Sequence, residues 1–217
     1  LVGGTALAGF YACHRTSDDM DVFTADDKAQ EAAVRAAKSL ARLGVKLHEE
    51  STTPGYYHAL ADLDGHAFTI DVVLDTNLFR PGVGTVATSP SGIVVASLET
   101  LLKMKIAALV SRSSEKDFYD LVWLTENYRY PALGEWLSLG REVDAGVSAE
   151  TMLTSLVGRK PREDACSFAE KFGVPAVDVL KRITAFKEEL QHRLLDYLEK
   201  APGPDAAALM RQLKRLR

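Results

Sequence analysis

Cysteine is scarce: Cys13 and Cys166 are the two in 217 residues. A disulfide framework is thereby excluded, and a reducing compartment suits the chain. No apolar run reaches the roughly 20 residues of a membrane-spanning helix, and no signal peptide is visible. There is no excess of positive charge either. The 26 basic and 30 acidic side chains leave a net charge of −4, which excludes a uniformly basic nucleic-acid binder while leaving room for a local basic patch. Internal repeats and low-complexity tracts are missing. These absences lead to the expectation of a cytoplasmic globular protein with no membrane contact.

What is present fits that class. The apolar fraction is 47% and the charged fraction 26%, ordinary values for a folded domain. A chain of this size buries about 70% of its unfolded surface, so stability needs no metal or disulfide staple. Leu1-Val2 reads as a strand end, Gly3-Gly4 as a tight turn and Thr5 to Tyr11 as a short helix. A motif within the first five residues, with no Met before it, predicts that part of a strand or helix lies upstream. Asp21 to Phe23 reads as a strand. Asp26 to Leu43 reads as a helix, because Ala33, Val34, Ala37, Leu40 and Ala41 recur at the helical period and Gly44 supplies the stop.

Three strand candidates follow: Val45 to His48, Tyr56 to Leu63 and Ala67 to Leu74. Asp64-Gly65 joins the last two as a two-residue hairpin. Residues 76–96, with Pro81, Gly82, Gly84, Pro90 and Gly92, read as an irregular connection. A helix is predicted from Ser97 to Ser111 and another from Ser114, where Ser114 and Asp117 form a capping pattern. The remainder reads as helical, with breaks at Lys160-Pro161 and Pro202-Gly203-Pro204. The expected organisation is a mixed α/β domain over 1–113 and a helical domain over 114–217.

Three clusters carry potential chemistry. In the first, Gly3-Gly4-Thr5 lets a backbone approach a phosphate at a helix start, although two glycines alone equally make a tight turn. No Gly-Lys-Ser/Thr follows, so this is not a Walker loop. The third glycine of the dinucleotide fingerprint is missing. In the second, Asp19 and Asp21 stand two apart in a strand, so both carboxylates share a face. Asp71 interrupts the apolar run from Phe68 to Leu74. A buried charge there needs a cation or a hydrogen-bond cage; otherwise Asp71 faces water on an edge strand. Three such carboxylates within about 4–6 Å would share a cation, and magnesium takes oxygen ligands of this kind. In the third, Lys105 and Arg112 lie seven apart on one helix face, near Lys116, Asp117 and Asp120. They would neutralise phosphates, or be a solvated helix end and a cap.

Taken together, Gly3-Gly4-Thr5-Ala6-Leu7, His14-Arg15, Ser17-x-Asp19-x-Asp21, Ile70-Asp71, Lys105 and Lys116-Asp117-x-x-Asp120 resemble the AbiEii/AbiGii-type nucleotidyltransferases of the polymerase-β-like superfamily. That family includes toxins of bacterial toxin–antitoxin and abortive-infection systems. The resemblance spans residues 1–124. It departs mildly from the superfamily at Thr5, where Ser is commoner, and in a longer spacing from the glycines to Asp19.

The resemblance implies an α+β fold: a mixed sheet with flanking helices, then a helical C-terminal domain. It implies transfer of a nucleoside monophosphate from a nucleoside triphosphate to an acceptor hydroxyl, with two magnesium ions. Asp19, Asp21 and Asp71 would be the metal ligands, and Asp71 would accept or steer the hydroxyl proton. Gly3, Gly4, Thr5, Arg15, Ser17, Lys105 and Lys116 would bind nucleotide, with Arg15 pairing a phosphate or bracing Asp19. Lys105 and Asp120 would join Asp71 in catalysis, Asp120 by orienting Lys116 or the base. The implied acceptor is RNA, with tRNA 3′ ends foremost, and the implied protein partner is a cognate antitoxin. Arg159-Lys160-Pro161-Arg162 and the tail residues Arg211, Lys214, Arg215 and Arg217 are the local basic candidates for RNA. Two alternatives share these residues: a small-molecule nucleotidyltransferase acting on an antibiotic-type hydroxyl, and a non-catalytic nucleotide-sensing or interaction module. A deep acidic acceptor pocket would favour the first alternative; a broad basic rim favours RNA.

Overall fold

The computed structural model describes residues 1–88 and 92–200. The chain enters through helix α1 (Gly3–Leu7), which runs into a π-helical turn over Ala8–Ala12 and stops at Cys13, whose backbone is left-handed. Strand β1 (Asp19–Thr24) follows. Helix α2 (Asp27–Ser39) begins where Asp26 caps it by accepting from the Ala29 N–H at 2.8 Å. It continues as a 3₁₀ turn over Leu40–Leu43 and ends at Gly44, with φ of 92°. Strands β2 (Lys46–Thr53), β3 (Tyr56–Leu63) and β4 (His66–Leu74) form an antiparallel meander. Asp64 and Gly65 both take positive φ, the geometry that matches a two-residue turn to the twist of its strands.

The sheet order is β1-β4-β3-β2, with β1 parallel to β4. One face is covered by α2 and buries Ala37, Val45, Tyr57, Ala59, Ala61, Ile70 and Val72. Among the described residues, the other face is covered at its β1 side, by α1. A short ribbon of β5 (Val86–Thr88) and β6 (Val94–Ala96) leads into α3 (Leu98–Ser111), capped by Ser97. The helices α4 (Glu115–Asn127), α5 (Leu133–Val143), α6 (Ala149–Gly158) and α7 (Ala176–Lys200) complete the fold. One apolar core joins Leu7 of α1 to Leu102, Leu121, Trp136, Met152 and Ile183, on both sides of residue 113.

Three local expectations are corrected. The first helix starts at Gly3, not Thr5. Strand β2 runs to Thr53, well past His48, because Glu49, Glu50 and Ser51 lie on a strand with little burial, where apolar alternation is not required. The connection over 76–96 contains the β5–β6 ribbon. The break at Pro161 follows the end of α6 at Gly158, whereas Pro202-Gly203-Pro204 lies outside the described residues.

Candidate active site

The site forms where β1, β4, α1, α3 and α4 converge. Asp19, Asp21 and Asp71 sit on the sheet face that α2 does not cover. Parallel pairing sets Asp21 directly beside Asp71, and Asp19 beside Thr69. Thr69 Oγ1 donates to Asp19 Oδ1 at 3.0 Å. The turn before α1 is laid over β1: the Val2 N–H donates to the Asp21 carbonyl at 2.9 Å, and the Thr5 hydroxyl donates to the Asp19 carbonyl. Gly3 has φ of 69°, and a Cβ there would land on the Asp21 carboxylate. A Cβ on Gly4 would collide with the Arg15 guanidinium and crowd Ser17. Both glycines are therefore required by close approach, and Gly3 also by its backbone.

Behind this layer lies a buried ionic network. Asp120, fully buried, accepts two bonds from Arg15, at 2.6 Å from Nε and 2.7 Å from Nη2. His14 Nε2 lies 2.9 Å from the same carboxylate, and Lys105 Nζ 2.7 Å from it. Lys105 also reaches Asp117 at 2.8 Å. Arg112 forks onto Asp117 at 2.8 and 3.0 Å, and the Ser114 hydroxyl donates to it at 2.6 Å. The loop carrying Arg15 is pinned from the helical side, since the Thr16 N–H and hydroxyl both donate to the Phe168 carbonyl, at 2.8 and 3.1 Å.

The electrostatics divide these carboxylates. Burial would raise the Asp117 carboxyl, but the Lys105 charge and the Arg112 fork outweigh it and hold it at about 2. Burial opposes ionisation of Asp120 too, and Lys105, Arg15 and His14 override it, so Asp120 stays well below the usual carboxylate range. The Arg15 guanidinium, despite desolvation, is raised by Asp120. Asp21 moves the opposite way: burial raises it, then the charges of Asp19 and Asp71. Among the described residues no donor or cation bonds the Asp21 carboxylate.

A cleft of about 330 Å³ opens over this assembly, lined by Gly4, Arg15, Ser17, the three aspartates Asp19, Asp21 and Asp71, and by Lys105, Arg112, Lys116 and Asp117. Lys116 has no ion-pair partner among the described residues. The structure thus brings the glycines, Arg15, Ser17, the three aspartates and both lysines to one place. Asp120 is corrected: its oxygens are taken by Arg15, His14 and Lys105, so it does not orient Lys116, and it lies beneath the cleft wall. Among the described residues no three acidic, His or Cys side chains close into a ready metal cage. Asp71 instead turns to Tyr56 and His58, whose OH and Nδ1 lie 2.7 and 2.9 Å from Oδ1. That contact pushes the Tyr56 hydroxyl up to about 12. The donor set nevertheless suits a hard cation: it is all oxygen, and the charges of Lys105 and Arg112 only partly offset the burial of Asp21 and its repulsion by Asp19 and Asp71.

Sequence reasoning missed Tyr56, His58 and Glu50, and gave no role to His14. The signal for His58 was available. A two-residue turn at Asp64-Gly65 pairs Leu63 with His66 and, counting outward, His58 with Asp71. The basic run Arg159 to Arg162 lies beside the cleft's helical wall, where Arg159 donates to the Arg112 carbonyl and the Arg162 N–H donates to Glu115 at 3.1 Å. The tail cations Arg211, Lys214, Arg215 and Arg217 lie outside the described residues. No helix among the described residues is long and apolar enough to cross a membrane.

Comparison with known proteins gives a family and a fold. The sequence profile of a family described as "Nucleotidyl transferase AbiEii toxin, Type IV TA system" matches residues 1–187. An uncharacterized protein of Aquifex aeolicus, aq_aa25, is 32% identical over 130 residues, which is 59% of this chain and 58% of that one. The chain thus spans little more than half the length of this curated relative. A crystal structure from Helicobacter pylori, described as a candidate nucleotidyltransferase, superposes with a TM-score of 0.51 at 16% identity, covering 90% of this chain and 87% of that one. JHP933 from Helicobacter pylori superposes with the same score and identity over 92% and 86%. At that identity the likeness establishes a shared fold.

Proposed function

This chain belongs to the AbiEii nucleotidyl transferase toxin family, and we propose that it transfers a nucleoside monophosphate from a nucleoside triphosphate to a hydroxyl at an RNA 3′ end, with tRNA as the acceptor. The observation that carries the reading is the single cleft in which Asp19, Asp21 and Asp71 face Arg15, Lys105, Arg112 and Lys116. An anionic floor opposite a cationic wall suits a triphosphate held at one side and a hydroxyl activated at the other.

Asp19, Asp21 and Asp71 would hold magnesium, which when bound supplies charge neutralisation and lowers the pKa of a bound hydroxyl. Gly3 and Gly4 keep side chains out of the space above Asp21 and Arg15, so a phosphate can approach the backbone. Lys116, a cleft cation with no ion-pair partner among the described residues, meets the triphosphate directly. Lys105 contributes charge from its seat between Asp117 and Asp120, and Asp120 keeps Arg15 and Lys105 in place. Asp71 receives the proton of the acceptor hydroxyl as the new O–P bond forms at the α-phosphorus and the bond to the β-phosphate oxygen breaks, releasing pyrophosphate.

The basic run Arg159 to Arg162 beside the helical wall supports RNA over a small acceptor, since phosphate backbones bind through local cations. Membership of a type IV toxin–antitoxin family supports a cognate antitoxin as partner. Incubation with each of the four α-labelled nucleoside triphosphates, magnesium and bulk tRNA tests the proposal. Label on tRNA is the expected result. Label absent from RNA but present on an aminoglycoside or other small hydroxyl compound would replace RNA with that class, and wild-type protein that labels neither would overturn catalysis.

A further inference from the structure

The uncovered face of the sheet carries a polar chain that leads from the cleft to the sheet's far edge. In the register, Asp21 pairs Asp71 and Asp71 pairs His58, so the three side chains stand in one row across β1, β4 and β3. On β2 the pairing shifts between Glu49 and Ser51. Glu50 is therefore the extra residue of a β-bulge, a device that re-aims a side chain. Its Oε2 meets His58 Nε2 at 3.2 Å. The other ring nitrogen, Nδ1, lies 2.9 Å from Asp71 Oδ1. Tyr56, stacked on His58 with the rings 8° from parallel, gives its hydroxyl to that same Oδ1 at 2.7 Å.

Two groups thus occupy one oxygen of Asp71, and among the described residues none takes Oδ2. Ionised carboxylate oxygens only accept, so Tyr56 and His58 together act as a fork that selects the rotamer of Asp71. We propose that Tyr56, His58 and Glu50 are positioning residues for nucleotide transfer, holding Asp71 Oδ1 so that Oδ2 is presented to the acceptor hydroxyl. The inference rests on the function proposed above. The same chain has little to do for stability. Tyr56 is 38% exposed, and His58 and Glu50 lie on the open face; partly exposed ionic contacts of this kind add little to stability. Their value lies in geometry, because a reacting group must be held to about 0.5 Å.

The test uses the full chain, labelled nucleoside triphosphate, magnesium and bulk tRNA, with thermal melts alongside. Tyr56→Phe and His58→Ala are each expected to lower kcat about 10–100-fold, the usual loss when a group that orients a functional carboxylate is removed. KM for the triphosphate should stay within twofold and melting should be unchanged. His58→Asn, which keeps an N–H near the Nδ1 position, should restore most of the rate, and Leu60→Ala, on the same open face, should behave as wild type. Active wild type with both single variants at its kcat would overturn the fork alone. An equal loss of rate in His58→Ala and His58→Asn, or a loss that follows melting temperature, would also overturn it by showing a structural role. Wild type that labels no tRNA would overturn the function proposed above and the fork with it.

Discussion

Arg15 and Asp120 stand 105 residues apart in the chain and meet as a two-pronged ion pair beneath the cleft, with both side chains almost wholly buried. The pair joins the loop before β1 to helix α4, so that loop and the helical wall are tied together. The pair also makes the site sensitive to damage from below.

Asp120→Ala leaves Arg15 and Lys105 without their shared carboxylate in a buried place. Removing one partner of a buried pair costs about 3–5 kcal/mol. Urea denaturation should show a loss of that order. A loss under about 1 kcal/mol would mean that water reaches the cations once Asp120 is gone.

Gly3→Ala puts a methyl group into the space of the Asp21 carboxylate and forces a side chain onto a φ of 69°. Strain of this backbone type costs about 1–3 kcal/mol. Nucleotide transfer should fall at least tenfold while circular dichroism remains that of the wild type. Retained activity would show that α1 shifts freely over β1.

Asp21→Ala should lower nucleotide transfer by about a thousandfold or more, since charge stabilisation at a reacting phosphate is worth several kcal/mol. Stability should move the other way in EDTA. The folded-state pKa of Asp21 is raised, so above its ordinary value of 3.8 the ionised group opposes folding, and its removal relieves that opposition. A rise in Tm of about 2–4 °C corresponds to about 1 kcal/mol in a protein of this size. A lower Tm for the variant at pH 7 would show that burial of the Asp21 charge beside Asp19 and Asp71 does not oppose folding.

Lys116 and Lys105 should separate in their effects. Lys116→Ala removes a cleft cation that has no ion-pair partner among the described residues, so KM for the triphosphate should rise several-fold with melting unchanged. Lys105→Ala removes a buried cation bonded to Asp117 and Asp120, so stability should fall together with activity. Steady-state kinetics beside urea titrations read both. Equal stability in the two variants would place Lys105 outside the structural network.

Acid should weaken the fold through Asp117. Its folded-state pKa is depressed to about 2 from an ordinary 3.8, so its contribution is complete above the ordinary value and fades as pH falls from about 4 toward about 2. Melting temperatures across that window should decline more steeply in wild type than in Asp117→Asn. Parallel curves would remove Asp117 as the cause.

Much of this arrangement was legible in the sequence, for physical reasons that differ by residue. The spacing of Asp19 and Asp21 declares a shared face because strand periodicity is two. Asp71 declares itself by interrupting an apolar run. What periodicity does not carry is which strand lies beside which: the parallel pairing of β1 with β4 joins residues 50 apart, and only tertiary packing decides it. Strand β2 was under-read past His48 because a sheet face left open tolerates Glu49, Glu50 and Ser51. The resemblance puts Asp120 on the motif with Lys116, and nothing local in that motif shows that its partners Arg15 and His14 arrive from the far end of the chain.

The parallel pairing of β1 with β4 has a kinetic consequence. The β2–β3–β4 meander closes through short turns, and hairpins of this kind form in about 1–10 μs. Bringing Asp21 beside Asp71, and Arg15 onto Asp120, closes much longer loops, and distant contacts form slowly because chain entropy is lost before they are rewarded. Refolding is therefore expected to form the meander before the cleft is complete. Stopped-flow circular dichroism should show strand signal returning before the proposed nucleotide transfer does, and the lag between them would time the last closure of the molecule.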